Sequence, residues 1–180
     1  MTAKPGKRII FITGGARSGK SSFAQDLASR ITGKVLFVAT AEALDDEMKN
    51  RIANHRKSRP GSWQTLECPA GIASKLGNIQ GHELVLVDCI TLLVSNVMGK
   101  ARSFKSAEKK VMSEISALVY TMKQKEAHFV LVANEVGMGI VPNNAMAREY
   151  RDLLGKVNQA LAQYATEVYF MVAGIPLRIK

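Results

Sequence analysis

The sequence predicts an α/β fold, with helices on both faces of a mostly parallel sheet, on three observations. Short apolar segments rich in β-branched residues alternate along the chain with longer segments whose apolar residues recur at helical spacing. Each helical segment stands between two strand-like segments, as right-handed crossovers between parallel strands require. The 180 residues are 47% hydrophobic and 22% charged, so they can bury one core and are neither disordered nor fibrous. We expect a single domain over residues 1–180.

The beginning of the chain predicts a strand, a loop and a helix, then a second strand and helix. Residues 8–13 (RIIFIT) are a short apolar run typical of a buried strand. The glycine-rich segment 14–21 follows at once and leads into an amphipathic helix over 22–30. Residues 35–39 (VLFVA) have the β-branched content of another buried strand, and the charged segment 45–57 has a helical pattern.

The next part of the chain is divided by turn residues. Pro60 and Gly61 end the preceding helix. Residues 63–67 then predict a short strand and residues 69–76 a short helix. A turn separates that helix from residues 83–88 (ELVLVD), an apolar strand that ends in an acidic residue.

The last part of the chain alternates long helices with apolar strands. Residues 99–105 predict a surface loop, and 106–125 carry apolar residues at helical spacing. Residues 129–133 (FVLVA) predict a strand, 143–165 a long helix, and 167–172 the last clear strand. No repeat, linker or break in composition marks a second domain.

The glycine-rich segment fits the pattern G-x-x-x-x-G-K-[ST] of a P-loop, in the strand-to-helix context that this loop requires. Its predicted triphosphate-binding residues are Gly14, Gly15, Ala16, Arg17, Ser18, Gly19, Lys20 and Ser21. Lys20 would reach the β and γ phosphates, while backbone N–H groups and the helix N-terminus surround them. Ser21 would hold Mg²⁺. The sequence therefore predicts a P-loop NTPase fold with a RecA-like sheet.

A second Mg²⁺ ligand is predicted at Asp88, which ends an apolar strand as a Walker B acid does. For the loop, the alternative is an ordinary glycine turn. For Asp88, the alternative is a helix N-cap after a strand.

One histidine stands in a cluster of cations. His55 lies among Arg51, Arg56, Lys57 and Arg59, near the basic end of the helix predicted over 45–57. A neutral imidazole beside phosphate-binding cations is able to attack a phosphorus atom. From the residues alone, a solvated helix explains the same pattern.

Several motifs together resemble one family. They are GGARSGKS at 14–21, VATA at 38–41, LDDEM at 44–48, the block HRKSRPGSWQTLE at 55–67, NEVGMGIVP at 134–142, VNQ at 157–159 and VAGIPL at 172–177. In this combination the chain resembles the bifunctional adenosylcobinamide kinase/adenosylcobinamide-phosphate guanylyltransferase family of cobalamin biosynthesis. The resemblance covers nearly the whole chain and is far more specific than the P-loop alone.

The resemblance implies two reactions. Such enzymes phosphorylate adenosylcobinamide with ATP or GTP. They then take GMP from GTP onto a histidine, release pyrophosphate, and transfer the GMP to adenosylcobinamide phosphate, which gives adenosylcobinamide-GDP. His55 matches that histidine, and Lys20 matches the lysine of the P-loop.

The family motifs also imply further nucleotide-binding residues. Besides the P-loop they are Ala39, Thr40, Ala41, Arg56, Lys57, Ser58, Arg59, Glu67 and Asp88. Glu67 would read guanine, because a carboxylate can accept hydrogen bonds from N1–H and the 2-amino group together. Two positions depart from the pattern of some members: Asn54 replaces a second histidine, and Asp88 stands where others have Glu.

Charge and composition bear on partners and location. The net charge of +10 favours polyanionic partners, which include nucleotides and nucleic acid. No interleaving of aromatic and basic residues supports a nucleic-acid-binding P-loop ATPase, so we expect no nucleic acid partner. A plain small-molecule kinase explains the P-loop and Asp88 but gives His55 no role.

The expected location is the cytoplasm, since the chain has no signal-peptide cleavage site and its two cysteines fit no disulfide framework. The longest apolar runs are too short to cross a bilayer. The family resemblance implies a homotrimer.

Overall fold

The computed structural model describes residues 6–31, 33–57 and 59–180. These residues form thirteen helices and strands, in the alternation that the sequence predicts. In chain order they are β1 (Ile9–Gly14), α1 (Lys20–Ser29), β2 (Val35–Ala39), α2 (Asp46–Lys57), β3 (Gln64–Glu67), α3 (Ile72–Gly77), β4 (Leu84–Asp88), α4 (Ile90–Gly99), α5 (Phe104–Gln124), β5 (His128–Val132), α6 (Ala145–Tyr164), β6 (Glu167–Val172) and β7 (Ile175–Arg178).

The strands form one seven-stranded sheet in the order β3-β2-β4-β5-β1-β6-β7. All neighbouring strands are parallel except β6 and β7, which form an antiparallel hairpin at one edge. The predicted α/β fold with a mostly parallel sheet is therefore confirmed. Its P-loop strand β1 and its Asp88 strand β4 are not neighbours, because β5 lies between them.

Two hydrophobic cores cover the two faces of the sheet. Along β1, Ile10 and Ile12 pack toward α1, whereas Ile9 and Phe11 belong to the core on the opposite face. The opposite core is filled by buried side chains of α3, α4, α5 and α6, among them Ile72, Leu93, Val111, Leu118 and Leu154. Because side chains alternate along a strand, both faces of these strands are apolar, as the near-continuous hydrophobic runs predicted.

Two elements were not predicted from the sequence. Helix α4 (ITLLVSNVMG) is apolar on most of its surface, so it has no clear amphipathic period. Strand β7 is short, contains Pro176 and is exposed throughout, and it pairs only with β6. The short helix α3 begins at Ile72 rather than at residue 69. None of the described helices is long and apolar enough to cross a membrane.

Candidate active site

The P-loop follows β1 and depends on two glycines. Gly14 has φ +151°, and a Cβ atom there would lie 2.6 Å from the carbonyl oxygen of Met171. Gly19 has φ +90°, and its Cβ would lie 3.2 Å from the Cα of Gly174. Glycine is the residue that adopts these dihedrals without strain. Helix α1 begins directly after the loop, so its N-terminus and positive dipole end point at this site.

The turn of the β6–β7 hairpin is hydrogen-bonded to the P-loop. The amide of Gly174 donates to the carbonyl oxygen of Ser18 at 3.1 Å. Ala173 and Gly174 both have positive φ, at 49° and 84°, which is the backbone of a two-residue hairpin turn. The loop is therefore held between the start of α1 and this turn.

Lys20 is the first residue of α1 and is 7% exposed. Its ammonium group donates to the carbonyl oxygen of Gly15, within the loop, at 2.5 Å. Burial lowers the pKa of Lys20, and the charge of Asp88 acts in the opposite direction. A buried ammonium at this place is suited to bind phosphate oxygens, the role that the motif predicts for Lys20.

Asp88 lies at the carboxyl end of β4 and accepts a hydrogen bond from the Ser21 hydroxyl. Burial raises the pKa of Asp88 above the usual aspartate value. Four neighbours act in the opposite direction, in decreasing order His55, Ser21 through its hydrogen bond, Arg59 and Lys20. The N-cap of α4 is Cys89, so Asp88 is not itself the N-cap.

The Ser21 hydroxyl and the Asp88 carboxylate are oxygen donors of the kind that Mg²⁺ prefers. They are hydrogen-bonded to each other, so one cation would contact both. The described residues contain no group of three or more His, Cys, Asp or Glu side chains suited to a metal ion. A cation held here would therefore take its other ligands from phosphate oxygens and water, which is the usual arrangement for Mg²⁺.

Helix α2 and the segment after it form the opposite wall of the site. His55, Arg56 and Lys57 lie in the last turn of α2 and face a cleft of about 900 Å³ that also contains Lys20 and Asp88. His55 is close enough to Asp88 for its charge to lower the pKa of that carboxyl. The predicted nucleophile, the P-loop lysine and the Walker B acid thus share one cleft.

Two of the predicted arginines are fixed by contacts. Arg56 forms an ion pair with Glu67, at the end of β3. Arg59 lies over the ring of Phe37, a buried residue of β2. Burial lowers the pKa of Arg59, while the charge of Asp88 raises it. The site therefore holds several cations beside one deep carboxylate, an electrostatic environment suited to a polyphosphate.

Some of the predicted site residues line the cleft and others do not. It is lined by Ala16, Arg17, Lys20, Ser21, Ala39, Ala41, His55, Arg56, Lys57, Arg59, Glu67 and Asp88. Gly14, Gly15, Ser18 and Gly19 shape the P-loop and are not among the lining residues. The Thr40 side chain is fully buried, and its hydroxyl donates to the carbonyl of Cys89 at 2.7 Å and accepts from the Cys89 amide at 2.9 Å. Ser58 lies outside the described residues.

Sequence reasoning missed several lining residues. On α2, Met48 and Ile52 lie seven and three positions before His55, which is the helical spacing that places them on its face. That spacing was a usable signal. Asn134, the second residue after β5, lies in the NEVGMGIVP motif at 134–142, but its contact with the cleft was not predicted individually.

Comparisons with known proteins agree with this geometry. The family model for cobinamide kinase/cobinamide phosphate guanyltransferase (CobU) matches residues 10–179. The chain is 41% identical to the bifunctional adenosylcobalamin biosynthesis protein CobU of Escherichia coli K12, over 96% of this chain and 99% of the relative. It is 40% identical to the protein of the same name from Salmonella typhimurium LT2, with the same coverage. It is 39% identical to the bifunctional adenosylcobalamin biosynthesis protein CobP of Pseudomonas aeruginosa, over 94% of this chain and 95% of the relative. The chain therefore belongs to the cobinamide kinase/cobinamide phosphate guanyltransferase family.

Proposed function

We propose that this chain is a bifunctional enzyme of adenosylcobalamin biosynthesis. It phosphorylates adenosylcobinamide with ATP or GTP, and it then transfers GMP from GTP to adenosylcobinamide phosphate, which gives adenosylcobinamide-GDP and pyrophosphate. Membership of the family supports both activities. The observation that carries the proposal is that His55, on α2, opens into the same cleft as Lys20 and Asp88.

In the kinase step, the P-loop binds the triphosphate of the donor nucleotide. Backbone N–H groups and the start of α1 face the phosphates, and Lys20 neutralises the β and γ oxygens. Ser21 and Asp88 would hold a Mg²⁺ ion, which supplies positive charge against the phosphate oxygens when bound. The primary task of these residues is to position the phosphates and stabilise their charge.

In the guanylyl step, a ring nitrogen of His55 attacks the α phosphorus of GTP. The P–N bond forms as the bond from the α phosphorus to the β-phosphate oxygen breaks, and pyrophosphate leaves. The phosphate oxygen of adenosylcobinamide phosphate then attacks the same phosphorus, and the P–N bond breaks. Arg56, Lys57 and Arg59 line the cleft beside His55, and their charges favour the departing pyrophosphate.

Glu67 supports the preference for GTP. Its side chain is 59% exposed, lines the cleft and is paired with Arg56. A carboxylate has acceptor sites beyond those used by one guanidinium, so it can bind the N1–H and 2-amino donors of guanine as well. Adenine lacks this pair of donors.

The corrinoid acceptor is large and partly apolar, and the loop after β5 has matching side chains. Met138, Ile140 and Val141 are 79%, 97% and 56% exposed. They follow Asn134, which lines the cleft, so the apolar loop continues directly from the site. Exposed apolar residues gathered in one segment are typical of binding surfaces. We therefore include residues 136–141 in the acceptor site.

Assembly and location are part of the same proposal. The family resemblance supports a homotrimer, and the free thiols of Cys68 and Cys89 suit a reducing compartment such as the cytoplasm. Residues 1–180 act as one domain that serves both reactions, with nucleotides and corrinoids as partners and no nucleic acid.

The first experiment is to incubate the protein with Mg²⁺ and GTP labelled at the α phosphate, then to denature it. We expect a covalent label that is labile in acid and stable in base, as a phosphoramidate is. The His55→Ala variant should bind GTP but take no label, and the matched His82→Ala variant should label normally, because His82 lies outside the cleft with its ring bonded to Gln64. Phosphorylation of adenosylcobinamide without any covalent label would instead identify a plain kinase.

A further inference from the structure

Strand β5 occupies a special place in the sheet. It lies between β1, which leads into the P-loop, and β4, which ends at Asp88. In the register, Val132 is opposite both Ile12 of β1 and Asp88 of β4. The residues just after Val132 therefore emerge between the triphosphate loop and the metal-binding acid.

The alternation of side chains identifies which of these residues faces the nucleotide. Val130 and Val132 pack in the core on the α1 face of the sheet, together with Leu84 and Leu86 of β4. Asn134 follows with the same parity, as Asp88 does on β4, so both side chains extend from the α1 face. The structure agrees, since Asn134 lines the cleft with Lys20, Ser21 and Asp88.

The main chain of Asn134 is fixed from two helices. Its amide donates to the hydroxyl of Thr91, on α4, at 2.6 Å. Its carbonyl oxygen accepts from the side-chain amide of Asn158, on α6, at 3.1 Å. Thr91 is held in turn because its own carbonyl accepts from the Tyr150 hydroxyl at 3.1 Å. Both of these hydrogen bonds are made by the main chain of Asn134, so they leave its side-chain amide available to a ligand.

We propose that Asn134 is a further catalytic residue, whose side-chain N–H donates a hydrogen bond to an oxygen of the γ-phosphoryl group of the bound nucleotide. The inference rests on the proposed kinase step. There, the acceptor hydroxyl oxygen forms a bond to the γ phosphorus, the bond from that phosphorus to the β-phosphate oxygen breaks, and the hydroxyl proton passes to solvent.

A fixed amide donor suits this step for a physical reason. Negative charge is spread over the γ-phosphoryl oxygens during transfer, and a donor already held in place needs no reorganisation to stabilise it. Lys20 follows β1 at the start of α1, Asp88 ends β4, and Asn134 enters the same cleft after the strand that lies between β1 and β4.

The test compares a nucleotide with a γ phosphate to one without it. Binding of ADP and of the non-hydrolysable triphosphate analogue AMP-PNP is measured by calorimetry for the natural chain, for Asn134→Ala and for Asn134→Asp. Asn78→Ala is the matched control, because Asn78 is an exposed residue at the end of α3. Melting temperatures check the fold, and the nearly isosteric Asn134→Asp keeps the side-chain volume if the alanine variant folds poorly.

We expect Asn134→Ala to bind AMP-PNP about 10-fold more weakly while ADP affinity stays within about twofold, because only one hydrogen bond to a charged group is lost. Asn134→Asp should lose more, since a carboxylate repels the phosphate. In the phosphorylation assay, kcat of Asn134→Ala should fall about 100-fold with little change in KM for the acceptor.

The assignment would be overturned if Asn134→Ala left both affinities unchanged, or if it weakened the binding of AMP-PNP and of ADP equally. The binding ratio does not depend on the corrinoid. If the natural chain failed to phosphorylate adenosylcobinamide, the proposed function would fail, and the ratio would still decide the role of Asn134.

Discussion

The guanidinium of Arg59 lies over the ring of Phe37, with its Cζ atom 3.6 Å from the ring centroid. Phe37 is fully buried in β2, so the ring is a rigid support. Arg59 thereby stays in the cleft near Asp88, whose carboxyl it helps to keep ionised. An arginine that stacks can hold its charge in a partly buried place better than a lysine, because the guanidinium is planar and weakly hydrated.

Replacement of Arg59 by lysine should therefore weaken nucleotide binding although the charge is kept. We expect about a 10-fold loss of GTP affinity in Arg59→Lys, since the planar stack and the forked donors are both lost. Calorimetric titration with GTP measures this. The control is Arg30→Lys, at the exposed end of α1, which should bind as the natural chain does. Equal affinity in both variants would show that the stack has no role in binding.

Nucleotide binding with Mg²⁺ should weaken as the pH falls toward the acidic range. Burial raises the pKa of Asp88, so its carboxyl becomes protonated at a higher pH than an ordinary aspartate, whose pKa is about 3.9. The protonated form does not bind Mg²⁺, so affinity is highest above the raised pKa and is lost below it. Titration of Mg-ADP at a series of pH values measures the decline.

The raised pKa of Asp88 makes the folded chain more stable as the pH falls, although it makes nucleotide binding weaker. The folded chain holds the Asp88 proton more tightly than the unfolded chain, so this group alone makes the free energy of unfolding rise as the pH falls through its folded-state pKa. Asp88→Asn is the control for both effects. It should bind nucleotide weakly, with little dependence on Mg²⁺. If it kept the full pH dependence, another group would be responsible.

Substitution of Gly19 by alanine should destabilise the chain, whereas the same substitution of a glycine inside a helix should not. Gly19→Ala places a Cβ in a left-handed backbone and 3.2 Å from Gly174, so we expect a loss of about 1–2 kcal/mol in the free energy of unfolding and weaker nucleotide binding. The control is Gly155→Ala, in α6, where a Cβ meets no atom within 4 Å. That change should stabilise the chain by up to about 1 kcal/mol. Chemical denaturation compares them, and similar effects would contradict the role given to Gly19.

The apolar loop after β5 should affect the acceptor and not the nucleotide. Ile140 is 97% exposed, so Ile140→Ser removes apolar contact area without disturbing the core. We expect KM for adenosylcobinamide to rise several-fold, since burial of such a side chain stabilises binding by about 1–2 kcal/mol. Covalent labelling by GTP should not change. Tyr120→Ser, on an exposed position of α5, is the control. A normal KM in Ile140→Ser would place the corrinoid elsewhere.

Local patterns predicted most of the fold and the positions of the glycine-rich loop and of Asp88 in it. GGARSGKS stands between an apolar strand and an amphipathic helix, and the structure has the loop there, with Lys20 buried at the start of α1. The apolar run that ends in Asp88 likewise became β4, with the carboxyl in the cleft. These features depend on neighbours in sequence, which is why a single chain is enough to find them.

Features that depend on distant parts of the chain were not predictable in this way. In the sheet, β5 lies between β1 and β4, and no local sequence pattern around Asn134 predicts this strand order. Thr40 is another case. Its position in the VATA motif implied a nucleotide contact, but its hydroxyl is engaged with the main chain of Cys89, which only the pairing of β2 with β4 brings near.

The hairpin turn behind the P-loop has a consequence for synthesis of the protein. Ser18 leaves the ribosome 156 residues before its hydrogen-bond partner Gly174 (174 − 18). Met171, which lies against Gly14, is likewise made long after it. The nascent chain therefore has the complete P-loop sequence long before it has the hairpin turn that is hydrogen-bonded to the loop. Full affinity for a triphosphate should appear only once the hairpin has been made and has docked.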